Sequence, residues 1–383
     1  MWTQEDHKWM QQAIELATLG EYTTRANPNV GCVIVKDGAC VAQGYHQRLG
    51  GDHAEIVALK AAGNNAQGAT MYITLEPCTH SGRTDPCVLS IVKAGIKEVI
   101  FACTDPNPLV KTSKYKNFLQ EHQITVRSGL LAEAARNLNL DFFKQMLHKK
   151  PYIRLKLACS LDGKTALNNN QSKWITGTQA RTDVQRWRAK ADAILTSAAT
   201  IIADDPQLSL RTAQLSATEQ QLLADPILPT TVILDTNARL NSSYKIFAQP
   251  QPVILLTAVN QDYKTNFPKH VTIHKIKQSP KGLCLDTAVN LLQELQLTNV
   301  MVEAGAKLAG SLLEANLCDE LILYTAPILL GGTAKNLIDI SELTNMQDAI
   351  KLRPTSSKTI GLDTRQTFQL HPTSYYQEPS HAK

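Results

Sequence analysis

Apolar and polar positions change period several times along the chain, and each change marks an element. QEDHKWMQQAIELATLG repeats its apolar residues at helical spacing and stops at Gly20, which predicts an opening amphipathic helix. VGCVIVKDGACVAQGYH is two β-rich runs joined by Asp37-Gly38, a hairpin signal. DHAEIVALKAAG reads as a helix with Asp52 at its N-cap and Gly63 just past its end. ATMYITL (69–75) is a buried strand running into EPCTHSGRTDPC; a helix from Pro86 through Lys93 and the strand KEVIFAC (97–103) follow. Helix, hairpin, helix, strand, helix, strand predicts a sheet covered by helices, an α/β layer structure.

Around KQMLHKKPYIRL the pattern restarts, with basic residues ahead of Pro151 and a new strand, so a domain boundary is expected between about 145 and 151. Beyond it the strands YIRLKLA, DAILTS, TTVILD, PVILLTA, VTIHKI, NVMVEAG and ELILYTAPIL alternate with the helical stretches TQARTDVQRWRAK, LDTAVNLLQELQ and KLAGSLLEAN. This half is α/β as well. The tail SYYQEPSHAK is polar and expected to fray. At 383 residues the chain exceeds what one hydrophobic core usually serves, which agrees with two domains.

Composition narrows the class. No run of about 18 uncharged apolar residues occurs, and MWTQEDHKWM lacks the apolar core of a signal peptide, so a cytoplasmic protein without a membrane segment is expected. The 8 cysteines are too sparse for a disulfide framework. The net charge of +5 is spread without Lys or Arg blocks and only 5% of residues are aromatic, which suits an anionic small molecule rather than nucleic acid.

The thiols of EPCTHSGRTDPC give the first half its chemistry. His53-Ala54-Glu55 begins one helix, while Pro77-Cys78 and Pro86-Cys87 lie at or near the start of the next, so one imidazole and two thiols could converge. Zinc favours that set, and a catalytic site leaves its fourth position to water, which the metal acidifies. Cys87 in a first helical turn would be favoured as thiolate by the helix dipole. Glu55, two residues from the histidine, could carry protons from water to a ring nitrogen and to departing ammonia. Two other readings compete. Asp52 with Glu55 three residues on has the spacing of a capping box, and His80 as a fourth ligand would make the site structural. In the second half, VMVEAGAKLAGSLLEA runs a strand into Gly305, with Gly310 at the start of the next helix, a junction whose backbone N–H groups can face an anion.

NPNVGCVIV, GYHQRLGGDHAEIVALKAA, EPCTHSGRTDPC and CTDPNP resemble the deaminase half of the bifunctional riboflavin-biosynthesis deaminase/reductase family, down to the eight residues between the cysteines. KLACSLDGKTA, SKWIT, ADDPQLSLR, VEAGAKLAG and APILLGG resemble its reductase half, and the likeness covers about residues 5–370. It implies a cytidine-deaminase-like α/β/α domain over 1–147, a dihydrofolate-reductase-like α/β domain over 148–373 and a polar tail over 374–383.

The resemblance implies zinc on His53, Cys78 and Cys87, with Glu55 as proton carrier. Asn27, His46, Arg83, Asp105 and Asn107 would contact a phosphorylated diaminopyrimidinone, each with a side chain suited to phosphate, pyrimidine edge or ribose. NADPH would meet Ala158, Trp174, Thr200, Asp204, Leu208 and Thr236, with the backbone of Gly305, Ala306, Lys307, Leu308, Ala309, Gly310 and Ser311 around its phosphates. Ser172, Arg188, Arg211 and Glu303 would hold the reductase substrate. Read alone, Arg188 and Arg211 are as readily surface residues and Trp174 a core residue. Asp162 and Lys156 are the nearest general acids, with nothing in the sequence to choose between them. After CTDPNPLV the chain reads KTSKYKNFLQ where the family has a short glycine-containing segment, leaving Lys111 and Lys114 as substitute charges. The remaining alternatives are a nucleoside deaminase with an unrelated partner domain and a zinc-stabilised nucleotide-binding module without catalysis. A homodimer is expected.

Overall fold

The computed structural model describes residues 1–78, 86–108, 110 and 112–377, and of 112–115 the backbone alone. The chain divides into two compact units, Met1–Lys149 joined by Tyr376, and Lys150–Tyr375.

The first unit contains helices α1 (Gln4–Thr18), α2 (Ala54–Ala62), α3 (Cys87–Lys93), α4 (Thr112–Glu121), α5 (Ala132–Asn137) and α6 (Leu140–His148). Its strands are β1 (Gly31–Lys36), β2 (Ala39–Tyr45), β3 (Thr70–Leu75), β4 (Glu98–Cys103) and β5 (Thr125–Ser128), in the sheet order β2-β1-β3-β4-β5. The hairpin forms as expected, with Asp37 and Gly38 both at positive φ, as the two-residue turn requires. Two glycines show how the helices lie. A Cβ on Gly31 would stand 1.9 Å from the Ala13 carbonyl oxygen of α1, and one on Gly44 would stand 2.7 Å from the Ala54 carbonyl oxygen of α2. Gly44 is the register partner of Cys32, and neighbouring strand residues face opposite ways, so α1 and α2 cover opposite faces. That is the α/β/α layering expected. β3, β4 and β5 run parallel, so their carboxyl ends share one edge of the sheet.

The cap of α2 differs from expectation. His53, not Asp52, is the N-cap residue, and the Asp52 carboxylate accepts from Lys60 Nζ at 2.5 Å. No Asp52–Glu55 capping box forms, so helix initiation does not explain Glu55.

The second unit contains β6 (Tyr152–Ser160), β7 (Lys164–Ala166), β8 (Ala193–Ser197), β9 (Thr230–Leu234), β10 (Val253–Ala258), β11 (Val271–Ile276), β12 (Gln278–Ser279), β13 (Gly282–Leu283), β14 (Asn299–Val302), β15 (Glu320–Ala326), β16 (Lys335–Asn336), β17 (Arg353–Ile360) and β18 (Asp363–Gln369). Its helices are α7 (Thr178–Lys190), α8 (Ala198–Asp204), α9 (Ala217–Leu222), α10 (Leu285–Glu294) and α11 (Ala306–Glu314). The main sheet runs β11-β10-β9-β8-β14-β6-β15-β18-β17, parallel from β11 to β15 and antiparallel thereafter. Alternate residues of one strand enter different cores: Leu195, Val232 and Leu256 pack with Val300 and Leu312, whereas Ile194, Ile233 and Leu255 pack with Ile246 and Phe247. Sheets buried on both faces read as continuous apolar runs, which is why TTVILD and PVILLTA were legible as strands.

Several elements have no such signal. β17 is exposed along nearly its whole length and RPTSSKTI has no apolar alternation. The short edge strand β5, TVRS, is exposed or half-buried throughout and likewise has no apolar run. At the carboxyl end, Thr373–Tyr376 forms a 3-10 turn with Tyr376 buried, where the polar composition anticipates fraying from Ser374. Among the described residues no helix is long and apolar enough to cross a membrane.

Candidate active site

The carboxyl end of β3 delivers Glu76-Pro77-Cys78, and Cys87 opens α3 directly after its N-cap Pro86. His53, at the N-cap of α2, meets both thiols. Its Nδ1 lies 3.1 Å from Cys87 Sγ and 3.6 Å from Cys78 Sγ, and the three ligand atoms all fall within 4.8 Å of one another. Donors around tetrahedral zinc are roughly 3.5–3.8 Å apart, so one nitrogen and two sulfurs at these separations fit that ion and leave one position for a further ligand.

Local electrostatics favour a cation here. Hydrogen bonds from Cys87 and His53 hold the Cys78 thiol down to about 4, aided by the Cys87 backbone N–H, which donates to Cys78 Sγ at 3.3 Å. The bond to Cys78 raises His53 to about 9, and its Cys78 contact pushes the Cys87 thiol up. Glu55, 4% exposed, reaches Cys87 from the first turn of α2, and burial raises its pKa. A desolvated carboxyl group beside these three candidate ligand atoms is suited to accept and release a proton.

The surrounding residues assemble from two loops. Asn27 Nδ2 donates to His46 Nε2 at 3.0 Å, which leaves His46 Nδ1–H to donate to the Asp52 carbonyl at 2.9 Å. Burial keeps that imidazole neutral, and it meets the His53 ring edge-on at 6.0 Å. After β4, Asp105 N–H donates to Glu76 Oε2 at 3.3 Å, and Asn107 N–H to Asp105 Oδ1 at 2.8 Å. Asp105 adds to the field that raises His53. His46 thus meets His53 directly and carries Asn27 on its far nitrogen, while Asp105 acts on His53 by its charge and accepts the Asn107 N–H. Arg83, His80 and Lys111 lie outside the described residues, as does the Lys114 side chain. Sequence reasoning did not single out Glu76, although it opens the cysteine motif.

In the second unit, Thr200, Thr236 and Glu303–Gly305 follow the carboxyl ends of the adjacent parallel strands β8, β9 and β14, the edge where open α/β sheets bind ligands. Arg188, near the end of α7, is buried there. Its Nε and Nη2 donate to the two Glu303 carboxylate oxygens at 2.6 and 3.0 Å, and its Nη1 to the Ser209 carbonyl at 3.0 Å. Arg188 is therefore no surface residue, and it forms a forked pair with Glu303 that the sequence did not reveal. Lys156 of β6 joins them: burial lowers its pKa while Glu303 opposes the shift. Asp162 is differently employed. It accepts from Ser160 Oγ, Leu330 N–H and Gly331 N–H, bonds that hold it at about 2, so it clamps a loop as an anion.

Trp174 is 69% exposed, with the Arg181 guanidinium 4.5 Å from its ring centroid, which overturns the core reading of this tryptophan. Arg211 is exposed and donates its backbone N–H to Gln185. Ser172 and Ala158 are half-buried, Asp204 ends α8, and Leu208 is buried at a positive φ. Gly305 is the N-cap of α11, with Ala306, Lys307 and Leu308 in its first turn. Gly310 departs from expectation. It lies buried inside the helix, where a Cβ would stand 1.7 Å from the Asp339 carbonyl oxygen, so its missing side chain admits a crossing chain.

Residues 3–103 match the cytidine and deoxycytidylate deaminase zinc-binding region, and residues 151–365 match the RibD C-terminal domain. Fold and site together define a zinc deaminase joined on one chain to a reductase. The chain is 43% identical to the riboflavin biosynthesis protein RibD of Escherichia coli over 94% of its length and 98% of that protein's, and 42% identical to that of Haemophilus influenzae over 95% and 97%. Among solved structures it is similar to Acinetobacter baumannii RibD (TM-score 0.83, 40% identity, covering 95% of this chain and 98% of that one). It is also similar to a diaminohydroxyphosphoribosylaminopyrimidine deaminase/5-amino-6-(5-phosphoribosylamino)uracil reductase of Thermotoga maritima (TM-score 0.82, 30% identity, covering 95% and 98%). The chain belongs to the RibD family of bifunctional riboflavin-biosynthesis enzymes, with a zinc-dependent deaminase and an NADPH-dependent reductase.

Proposed function

We propose that the first unit hydrolytically deaminates 2,5-diamino-6-(5-phosphoribosylamino)pyrimidin-4(3H)-one and that the second reduces the ribosyl group of the product to ribityl. In this reading His53, Cys78 and Cys87 hold zinc, which supplies an acidified water. Glu55 would relay the two protons of that water in turn, the first to the ring nitrogen and the second to the departing ammonia. Asn27, His46, Asp105 and Asn107 orient the pyrimidine and ribose, and Arg83 pairs with the phosphate. The observation that carries this half is the convergence of three ligand atoms within 4.8 Å beside a buried carboxyl group.

In the second unit NADPH supplies the hydride. Ala158, Trp174, Thr200, Asp204, Leu208, Thr236 and the backbone from Gly305 to Ser311 form its bed; Ser172, Arg188, Arg211 and Glu303 hold the substrate. Lys156 gives the proton that the opened ribose oxygen takes up, a role its burial beside Glu303 and Arg188 supports. Asp162, already engaged by three donors, does not suit that role. The domain limits proposed are 1–147 and 148–373. A cytoplasmic enzyme acting on small molecules and not on nucleic acid fits the dispersed charge of +5. Self-association as a homodimer completes the reading.

Glu55→Gln tests the deaminase assignment. The variant should keep its zinc and its NADPH-dependent activity on deaminated substrate while ammonia release falls by about 10²–10⁴. Loss of zinc would make Glu55 a ligand or a structural residue.

A further inference from the structure

Asn139 occupies the N-cap of α6, a position where asparagine normally turns its side chain onto the helix's own free N–H groups. It makes no such bond here. The side chain is 1% exposed and is spent on a loop 110 residues away in sequence. Its Oδ1 accepts Asn29 N–H at 2.6 Å and its Nδ2 donates to the Asn29 carbonyl at 3.0 Å, a two-point pairing like that between neighbouring strands. The Asn29 side chain completes the clasp. Its Nδ2 donates to the Leu138 carbonyl at 3.2 Å and its Oδ1 accepts the buried Thr24 hydroxyl at 2.8 Å.

Asn29 is two residues from Asn27, with Pro28 between them. Proline fixes its own φ and restricts the residue before it, so little freedom separates the clasp from Asn27. The Asn27 side chain in turn holds His46 at 3.0 Å. Beyond this loop, His46 N–H donates to the Val30 carbonyl at 2.9 Å.

We propose that Asn139 is a positioning residue of the deaminase: its carboxamide fixes the loop 24–30 and through it the placement of Asn27 and His46. This rests on the reading above in which Asn27 and His46 contact the pyrimidine substrate. It also makes the α5–α6 junction, beyond the deaminase region matched over 3–103, part of the substrate site.

The test uses the full-length, zinc-loaded protein and steady-state ammonia release from the diaminopyrimidinone phosphate. Wild type, Asn27→Ala, Asn139→Leu, Asn139→Asp and the Asn27→Ala/Asn139→Leu double variant are compared. Zinc content and NADPH oxidation on deaminated substrate serve as controls in the same chain. Asn139→Leu should raise KM about tenfold or more with kcat within about threefold, and the double variant should be no worse than the weaker single one. Asn139→Asp keeps the acceptor for Asn29 N–H but loses the donor, so its KM should fall between. A KM for Asn139→Leu within about twofold of wild type, a loss confined to kcat and zinc content, or losses that multiply in the double variant would each overturn the proposal. If Asn139→Leu does not fold, Asn139→Asp decides by the same KM criterion. An unchanged KM in Asn27→Ala identifies the failure as that of the underlying reading, since it refutes the role of Asn27 itself.

Discussion

Replacing Arg188 by alanine should damage the second unit in two separable ways. Its guanidinium donates twice to Glu303, and the two side chains are only 11% and 12% exposed. Removing one partner of such a pair leaves a charge uncompensated, at a typical cost of 3–5 kcal/mol. Here the lower end applies, about 3 kcal/mol, because Lys156 still faces the carboxylate. For a unit of this size that is a melting-temperature loss of about 6–12 °C. The second effect is on substrate. A charge-assisted hydrogen bond to phosphate contributes about 1.5–3 kcal/mol, so the reductase KM for its pyrimidine should rise about 10–100-fold with little change in NADPH affinity. Burial alone would raise the Glu303 pKa, but Arg188 and Lys156 outweigh it and hold it below the usual carboxylate range. The pair's contribution is therefore complete above the unfolded carboxylate value of about 4.3 and is lost as pH falls through the lower folded value. The stability gap between wild type and variant should close in the same direction. Calorimetry across pH, with KM for both reductase substrates, checks each part. A variant that melts like wild type and keeps its pyrimidine KM would refute both the energetic reasoning and the substrate role of Arg188.

Two further expectations concern other sites. Cys87→Ser should lose zinc and ammonia release while NADPH oxidation on deaminated substrate persists; metal analysis beside the two assays checks it, and joint loss of both activities would contradict independent units. Gly310→Ala forces a Cβ to within 1.7 Å of the Asp339 carbonyl oxygen, so the second unit should lose about 3 kcal/mol, read from denaturant midpoints, and an unchanged midpoint would show that the chain at Asp339 yields freely.

How much of this was legible depended on how local each cause is. The candidate zinc ligands could be read because ligand chemistry restricts residue type, and because His53 and Cys87 each sit where a helix begins. The parallel strands could be read because burial on both faces writes continuous apolar runs. Arg188 and Glu303 lie 115 positions apart and look like ordinary charged residues until the sheet edge joins them. Asn139 was silent for the same reason: an asparagine between two leucines carries no sign that its amide is needed at Asn29. β17 is held on β18 by an antiparallel ladder and exposes most of its side chains, so its polar sequence gave no period to follow. Asp52 misled in the opposite sense, offering cap chemistry one residue before the true cap.

The most direct test follows ammonia and NADPH absorbance together in one reaction containing the zinc-loaded protein, the diaminopyrimidinone ribosylamino phosphate and NADPH. The account predicts ammonia release first, then NADPH oxidation that approaches one equivalent per ammonia. NADPH consumption without ammonia would contradict the proposed order, and ammonia without NADPH oxidation would contradict the proposed reduction of its product by the second unit.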